Sequence, residues 1–551
     1  MSLRSQAMRF LSLTSMSAVV LMIGGFGMAA PAEKDKAKGK KKPALNLPPP
    51  SGVRMDAPTL AKYIDKAIEQ KLKAEGVSPS PLTTDAEFVR RVSLDITGHI
   101  PSVERAAAFL DDKDPNKRAK LIDELLSSSD YGNHLADIWQ VLMLPKSSDN
   151  RRLANGPMIK WLAEHFNKNM PWNKMVHDML TATGEQDKNG AVTFFIANNT
   201  VDKVTDEVTK VFLGVQLQCA QCHNHPFTEW KQTEYWEMAA FFMKVQSSNP
   251  NKAAKEGTSP SVAESDNIRR GKNALPESAK MLAPKFLGGE RPNVGKSGPV
   301  RPILADWLTT AQNPYFSKAM TNRIWGQYFG RGLVNPIDDM HEDNHASHPE
   351  LLQELASQFG KNAFDVKFLV RAICNSKTYQ RGSKPSGDNA DAPANVYARM
   401  NVKVLSPEQL YDSLGTALGQ QDGGRAQEGK KAAAGGKAGP NNGPRNVFVA
   451  FFGVDETVGV TEFQSGIPQA LNLMNSARIN QAVQNNPLVR ATGKTPAEVI
   501  EKLYLGTLSR RPNAEELTKM AAYVQKSETP TKGYGDILWA LLNSSEFTLN
   551  H

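Results

Sequence analysis

Apolar residues recur at helical spacing through most of this chain, and capping residues open several of the runs. That combination constrains the chain to a mainly α fold. Thr84 stands before Phe88, Val89, Val92 and Leu94, which share one helix face. Pro101 to Leu110 predicts a second helix and Arg118 to Leu126 a third. Asp137 to Leu144 and Met158 to Phe166 continue the pattern. From about Asn249 to Pro302, Lys, Ser, Gly and Pro dominate and the period weakens, which predicts a loop-rich insert. Helical patterning resumes at Ile303. Ser347-His348-Pro349-Glu350 predicts a capping box that opens Leu351 to Phe359. Ser406-Pro407-Glu408-Gln409 predicts another, opening Leu410 to Leu418. Helices return at Pro468 to Asn475 and from Pro496 to the end.

These signals predict two helical domains, 56–248 and 301–551, joined by a loop-rich linker at 249–300. Residues 420–445 are low-complexity Gly, Ala, Lys and Asn, and read as a disordered loop within the second domain. The chain also echoes itself. Leu121 to Tyr131, Leu369 to Tyr379 and Ile537 to Phe547 each run from an apolar helix end through serine to an aromatic. Arg91 to Glu104 matches Lys502 to Glu515 at constant offset, so related helical hairpins are expected at the two ends.

Two of the 3 cysteines fall in Cys219-Ala220-Gln221-Cys222-His223. With 10 His in 551 residues, chance gives roughly 3 such C-x-x-C-H matches per 10,000 chains of this composition. The spacing is that of covalent c-type haem attachment. Two thiols three positions apart each add to one vinyl group, and the histidine becomes an axial iron ligand.

The first thirty residues place the motif in a compartment. Arg4 and Arg9 precede an apolar run from Phe10 to Met28 that ends in Ala29 and Ala30, the pattern of a cleaved export signal. The competing reading is an uncleaved anchor. Seven Ser, Thr and Gly residues dilute the run and favour cleavage. No later segment reads as a membrane span. The expected location is the periplasm, the cell envelope or the exterior, where free thiols are unusual. Residues 31–55 form a Lys- and Pro-rich tether, read as solvated and extended. It offers a contact to an anionic envelope surface and supplies part of the net charge of +9. No nucleic-acid module is recognisable.

Further residues then point to a family. Phe88 to Gly98 and Leu213-Gly-Val-Gln-Leu-Gln-Cys-Ala-Gln-Cys-His-Asn-His-Pro-Phe227 resemble the planctomycete DUF1549 domain, also called cytochrome-c-like. Ala305 to Leu308, Asn313 to Phe316, Asn322 to Trp325, Phe329 to Val334, Ser347 to Leu352 and Leu471 to Asn475 resemble its usual partner, DUF1553. The resemblance implies a secreted or periplasmic protein. Asn224 stands where that family often has Asp, and His341-Glu-Asp-Asn-His345 is richer in His than the family pattern.

Three chemistries fit the pentapeptide. In the haem reading Cys219 and Cys222 carry haem c and His223 ligates iron. Met238 or Met243 then offers a sixth ligand, against the alternative that both fill core gaps. In the non-haem reading Cys219 and Cys222, with His225 or His223, hold zinc or iron. In the third the two cysteines form a disulfide or redox dithiol. Haem is the preferred reading and gives an electron-transfer protein with a redox partner or another envelope protein. The other two give a non-haem envelope enzyme and an envelope scaffold. Thr233 to Val245 predicts an aromatic amphipathic helix. Cys374 sits in an apolar helical context and reads as buried and inert. His341, His345 and His348 suggest a second metal site, but a helix start at Ser347 would leave the first two in a loop. No hydrolase elbow, Walker loop or dinucleotide fingerprint is present, and no enzyme class is assigned.

Overall fold

The computed structural model describes residues 47–145, 153–266, 282–295, 298–419, 443–453, 473–490 and 493–551. The export signal, the lysine part of the tether, most of the low-complexity segment and residues 468–472 lie outside them. Helices dominate, with short strands between them. Helix α1 is Ala57–Glu75, α2 Asp85–Thr97, α3 Val103–Asp111, α4 Lys117–Ser127 and α5 Ser129–Met143. Helices α6, Val201–Leu213, and α7, Gln232–Ala239, flank the C-x-x-C-H segment. Next come α8, Phe316–Phe329, α9, Pro349–Lys361, α10, Val366–Asn375, and α11, Pro407–Ala417. The C-terminal end holds α12, Pro496–Leu508, α13, Ala514–Lys526, α14, Pro530–Leu542, and the short α15, Ser545–Thr548.

Helix α2 forms where the capping signal places it. Thr84 Oγ1 accepts from Glu87 N, and Gly98 ends the helix in the left-handed conformation at φ 80°. Every residue from Phe88 to Thr97 is buried. Phe88, Val89, Val92 and Ile96 enter the larger core, which draws on residues from Ala57 to Met400. Leu94 and Ile100 enter the smaller one, which otherwise runs from Leu405 to Phe547. The larger core therefore crosses the 249–300 segment, and α2 is shared by both cores. Strands β1, Gly184–Glu185, β2, Val245–Ser247, and β3, Ser261–Glu264, form an antiparallel sheet in the order β1-β3-β2. Strand β3 lies inside the segment that reads as loop-rich. Strands β4, Lys403–Val404, and β5, Leu549–Asn550, pair antiparallel and tie the chain's end to its middle.

The echo extends to the backbone. Thr84 and Thr495 cap the first helix of each set, Gly98 and Ser509 end it in the left-handed region, and Ser102 and Asn513 cap the second. Helix α2 packs on α3 and α4 as α12 packs on α13 and α14. The serine turns repeat as well. Ser376 Oγ accepts from Tyr379 N and Ser544 Oγ from Phe547 N, and Tyr131, Tyr379 and Phe547 are all buried.

Three expectations are corrected. Ser347 is not an N-cap: α9 starts at Pro349 with His348 at the cap position and no side-chain cap bond. Pro349 fixes its own φ at the first helical position, which sets the boundary one residue later than the box implies. The helix expected over Thr233 to Val245 ends at Ala239, passes through a 3₁₀ turn at Ala240–Phe242 and reaches strand β2 at Val245. The last residues of the tether are not loose. Ser51 N donates to Glu354 Oε2 at 2.7 Å, Met55 N to Gln358 Oε1 at 2.8 Å and Gln358 Nε2 to Val53 O at 2.7 Å, so 51–55 is clamped along α9.

The C-x-x-C-H turn as candidate functional site

Helix α6 delivers the chain to the motif. Gly214 ends it at φ 67°, and a Cβ there would come within 3.1 Å of Met340 Sδ. The chain then tightens into a 3₁₀ turn at Gln218–Gln221, closed by Ala220 N donating to Leu217 O at 2.8 Å. Ala220 is buried, while Cys219 inside the turn and Cys222 just after it are exposed free thiols. Cys374 is the opposite case: it is fully buried in α10, and burial pushes its thiol well above the usual range.

Helix α7 holds the turn from behind. Gln232 Nε2 donates to Gln221 O at 3.1 Å and to Cys222 O at 2.9 Å. Trp236 Nε1 donates to Gln221 O at 3.1 Å. Asn224 Oδ1 accepts from Gln232 N, the first amide of α7, at 3.1 Å. An oxygen at residue 224 thus satisfies an orphan helix donor, a role open to Asn and Asp alike. No local sequence pattern signals Gln232 or Trp236 as supports, because the turn and the helix meet only after folding.

The two neighbouring histidines face opposite tasks. His223 Nδ1 lies 2.7 Å from Asn224 O; a carbonyl only accepts, so Nδ1 donates, and in the neutral ring Nε2 is the nitrogen left with a lone pair. This is the arrangement in which a metal-ligating imidazole is held. His225 Nδ1 instead accepts from Phe227 N at 3.2 Å and Thr228 N at 3.1 Å, while His225 N donates to Trp230 O at 2.8 Å. Its imidazole is lowered below the ordinary histidine range by burial, with His341 and His223 adding to the effect. His225 builds a turn with the nitrogen that would otherwise bind metal.

A loop from the second half of the chain lies alongside. Met340 N donates to Gly214 O at 2.8 Å, and His341 and Asp339 are close enough to act electrostatically on His225. Arg323 pairs with Asp338 at the base of this loop, beside Glu207 of α6. His341 and His345 lie in the loop and His348 is buried at the start of α9, so the three do not form one cluster. Met238 is fully buried and Met243 nearly so, both in the larger core. Among the described residues no group of three or more His, Cys, Asp and Glu is placed to hold a metal ion. Behind the turn, Tyr235 Oη donates to Asp206 Oδ1 at 3.0 Å, and burial raises the Asp206 carboxyl to about 7.

Two family models match this chain. PSCyt2, a protein of unknown function (DUF1549), matches residues 63–247, and PSD1, a protein of unknown function (DUF1553), matches residues 300–524. The C-x-x-C-H turn falls in the first and the Met340 loop in the second. No curated protein and no solved structure matches. No described helix is long and apolar enough to cross a membrane.

Proposed function

We propose that this chain, which belongs to the family joining DUF1549 to DUF1553, is an exported electron-transfer protein carrying c-type haem at Cys219, Cys222 and His223. One observation carries the reading. The turn leaves two thiols, three positions apart in sequence, both exposed, and the next residue is a histidine whose Nδ1 donates to Asn224 O. The residues present fit the group. Each thiol would add its S–H across a vinyl double bond, sulfur to the carbon next to the ring and hydrogen to the terminal carbon, with no net electron transferred, and His223 Nε2 would be the nitrogen that holds the iron. Bound there, haem supplies a one-electron iron couple.

Gln232 and Trp236 hold the carbonyls of the turn, so the thiols and the imidazole keep their relative positions. Buried Met238 and Met243 do not suit a sixth ligand without opening the core. The apolar run before Ala30 supports export to the compartment where such attachment takes place. A redox partner in the envelope follows from that location. Non-haem zinc or iron at this turn would have to do without His225 Nδ1.

The test is an absorption spectrum and a denaturing-gel haem stain of protein exported in a host that matures c-type haem. The expected result is a Soret band and a stain that survive denaturation and vanish in Cys219→Ala. A colourless, unstained protein beside a control cytochrome that matures normally would overturn the reading. Metal analysis and thiol counting would then separate zinc, iron and a disulfide.

A further inference from the structure

We propose that Phe227 is the apolar wall of the haem at this turn, and that His225 is a positioning residue that holds Phe227 there without ligating iron. The inference rests on the haem reading above. Phe227 is 80 % exposed, the highest value among the large exposed apolar side chains of the described residues. Leaving such a ring in water forgoes about 1.5–3 kcal/mol of burial. Its backbone is nevertheless pinned. Phe227 N and Thr228 N both donate to His225 Nδ1, His225 N closes the loop on Trp230 O, and Pro226 fixes its own φ between them. The His225 and Phe227 rings meet edge to face at 6.3 Å. The ring is thereby held in a fixed place on the turn, open to an apolar group bound beside it.

The occupant follows from position. Three residues lie between His223 and Phe227, a span of at most about 14 Å fully extended, and the turn shortens that reach. A planar macrocycle tethered at Cys219 and Cys222 and anchored by His223 therefore shares its surroundings with this ring. An apolar side chain against it excludes water, which favours the less charged iron state. His225 cannot serve as ligand and turn cap together. Ligation at Nδ1 removes the acceptor of two amides, and ligation at Nε2 puts a proton on Nδ1 facing those same amides.

The experiment uses the haem-loaded, full-length protein. Phe227→Ala should retain covalent haem, lower the midpoint potential and bind added imidazole several-fold more tightly. His225→Ala should reproduce both effects. His225→Asn should restore wild-type behaviour, because an Asn side chain accepts the same two amides. A haem-loaded Phe227→Ala protein with wild-type potential and imidazole affinity overturns this inference alone. A change in the spin-state bands of His225→Asn does so too, since it marks His225 as a ligand. A wild-type protein without covalent haem overturns the haem reading and this inference with it.

Discussion

The guanidinium of Arg90 lies over the ring of Phe547 at 5.9 Å and donates to that residue's carbonyl at 2.6 Å, joining α2 to the last turn of the chain. A second bond reaches Thr507 O at 2.9 Å at the end of α12. The next residue does the same at another copy of the serine turn: Arg91 lies over Tyr379 at 5.7 Å and donates to Tyr379 O at 2.7 Å and Arg381 O at 2.9 Å. Two consecutive arginines thus latch two of the three echoing turns onto one helix. Both side chains are buried; backbone carbonyls take the Arg90 guanidinium, and Arg91 adds an ion pair with Glu87 at 2.6 Å.

Removing one latch should be costly. Arg90→Ala orphans at least two buried carbonyls at about 1–3 kcal/mol each, so a loss of about 2–6 kcal/mol is expected. Urea denaturation followed by circular dichroism measures it. Lys519→Ala, at an exposed pair with Glu515, serves as the control and should change stability by less than about 0.5 kcal/mol.

His348 should make the fold acid-sensitive. Burial, reinforced by Lys71, pulls its imidazole down to about 4 from an ordinary 6.5. The unfolded chain therefore binds the extra proton between pH 6.5 and about 4. Stability is full above pH 6.5 and falls as the pH drops through that window, by about 3 kcal/mol in all. A His348→Gln variant should show a flatter profile across the same window. Parallel profiles for the two proteins would refute the assignment.

Asp206 acts in the opposite sense. Its carboxyl titrates near 7 when folded and near 3.8 when unfolded, so its contribution is present at low pH and lost as the pH rises through 7. Asp206→Asn keeps the oxygen that accepts from Tyr235 Oη. It should gain about 1–2 kcal/mol at pH 8, after allowance for solvent screening, and nothing at pH 4. Thermal unfolding at the two pH values decides it.

Residue 224 should tolerate acid and not deletion. Asn224→Asp places a negative charge at the first amide of α7 and should stabilise by about 0.3–1 kcal/mol. Asn224→Ala should lose about 0.5–2 kcal/mol and loosen the turn that carries Cys222 and His223. Urea midpoints of the two variants should move in opposite directions.

Thiol counting checks the burial pattern directly. In haem-free protein, reduced and native, a maleimide should label Cys219 and Cys222 and spare Cys374. Label at all three should appear only in denaturant. Native labelling of Cys374 would mean that α10 does not pack as described.

The helices were legible because their signals are local. The Thr84 cap and the Ser406 box each depend on residues within one turn of backbone, and each appears where the sequence places it. The candidate site was legible only in its first layer. Cys219, Cys222 and His223 sit within five residues, so their spacing alone speaks. Their supports do not. Gln232 and Trp236 reach the turn from a separate helix, and Met340 reaches Gly214, where α6 ends ahead of the turn, from a loop more than a hundred residues on. The opposite roles of His223 and His225 were also hidden, because two similar side chains are separated only by which backbone atoms each nitrogen meets.

The sequence by itself determined a mainly helical chain, its family and the pentapeptide on which its chemistry is proposed to turn, since these rest on periodicity, caps and short spacings. Only the tertiary structure decided that α2 serves two cores, that two buried arginines latch distant turns, and that Met238 and Met243 are core while Phe227 stands in solvent. Those outcomes depend on which surfaces meet across hundreds of residues, and burial is a property of that meeting rather than of any residue type.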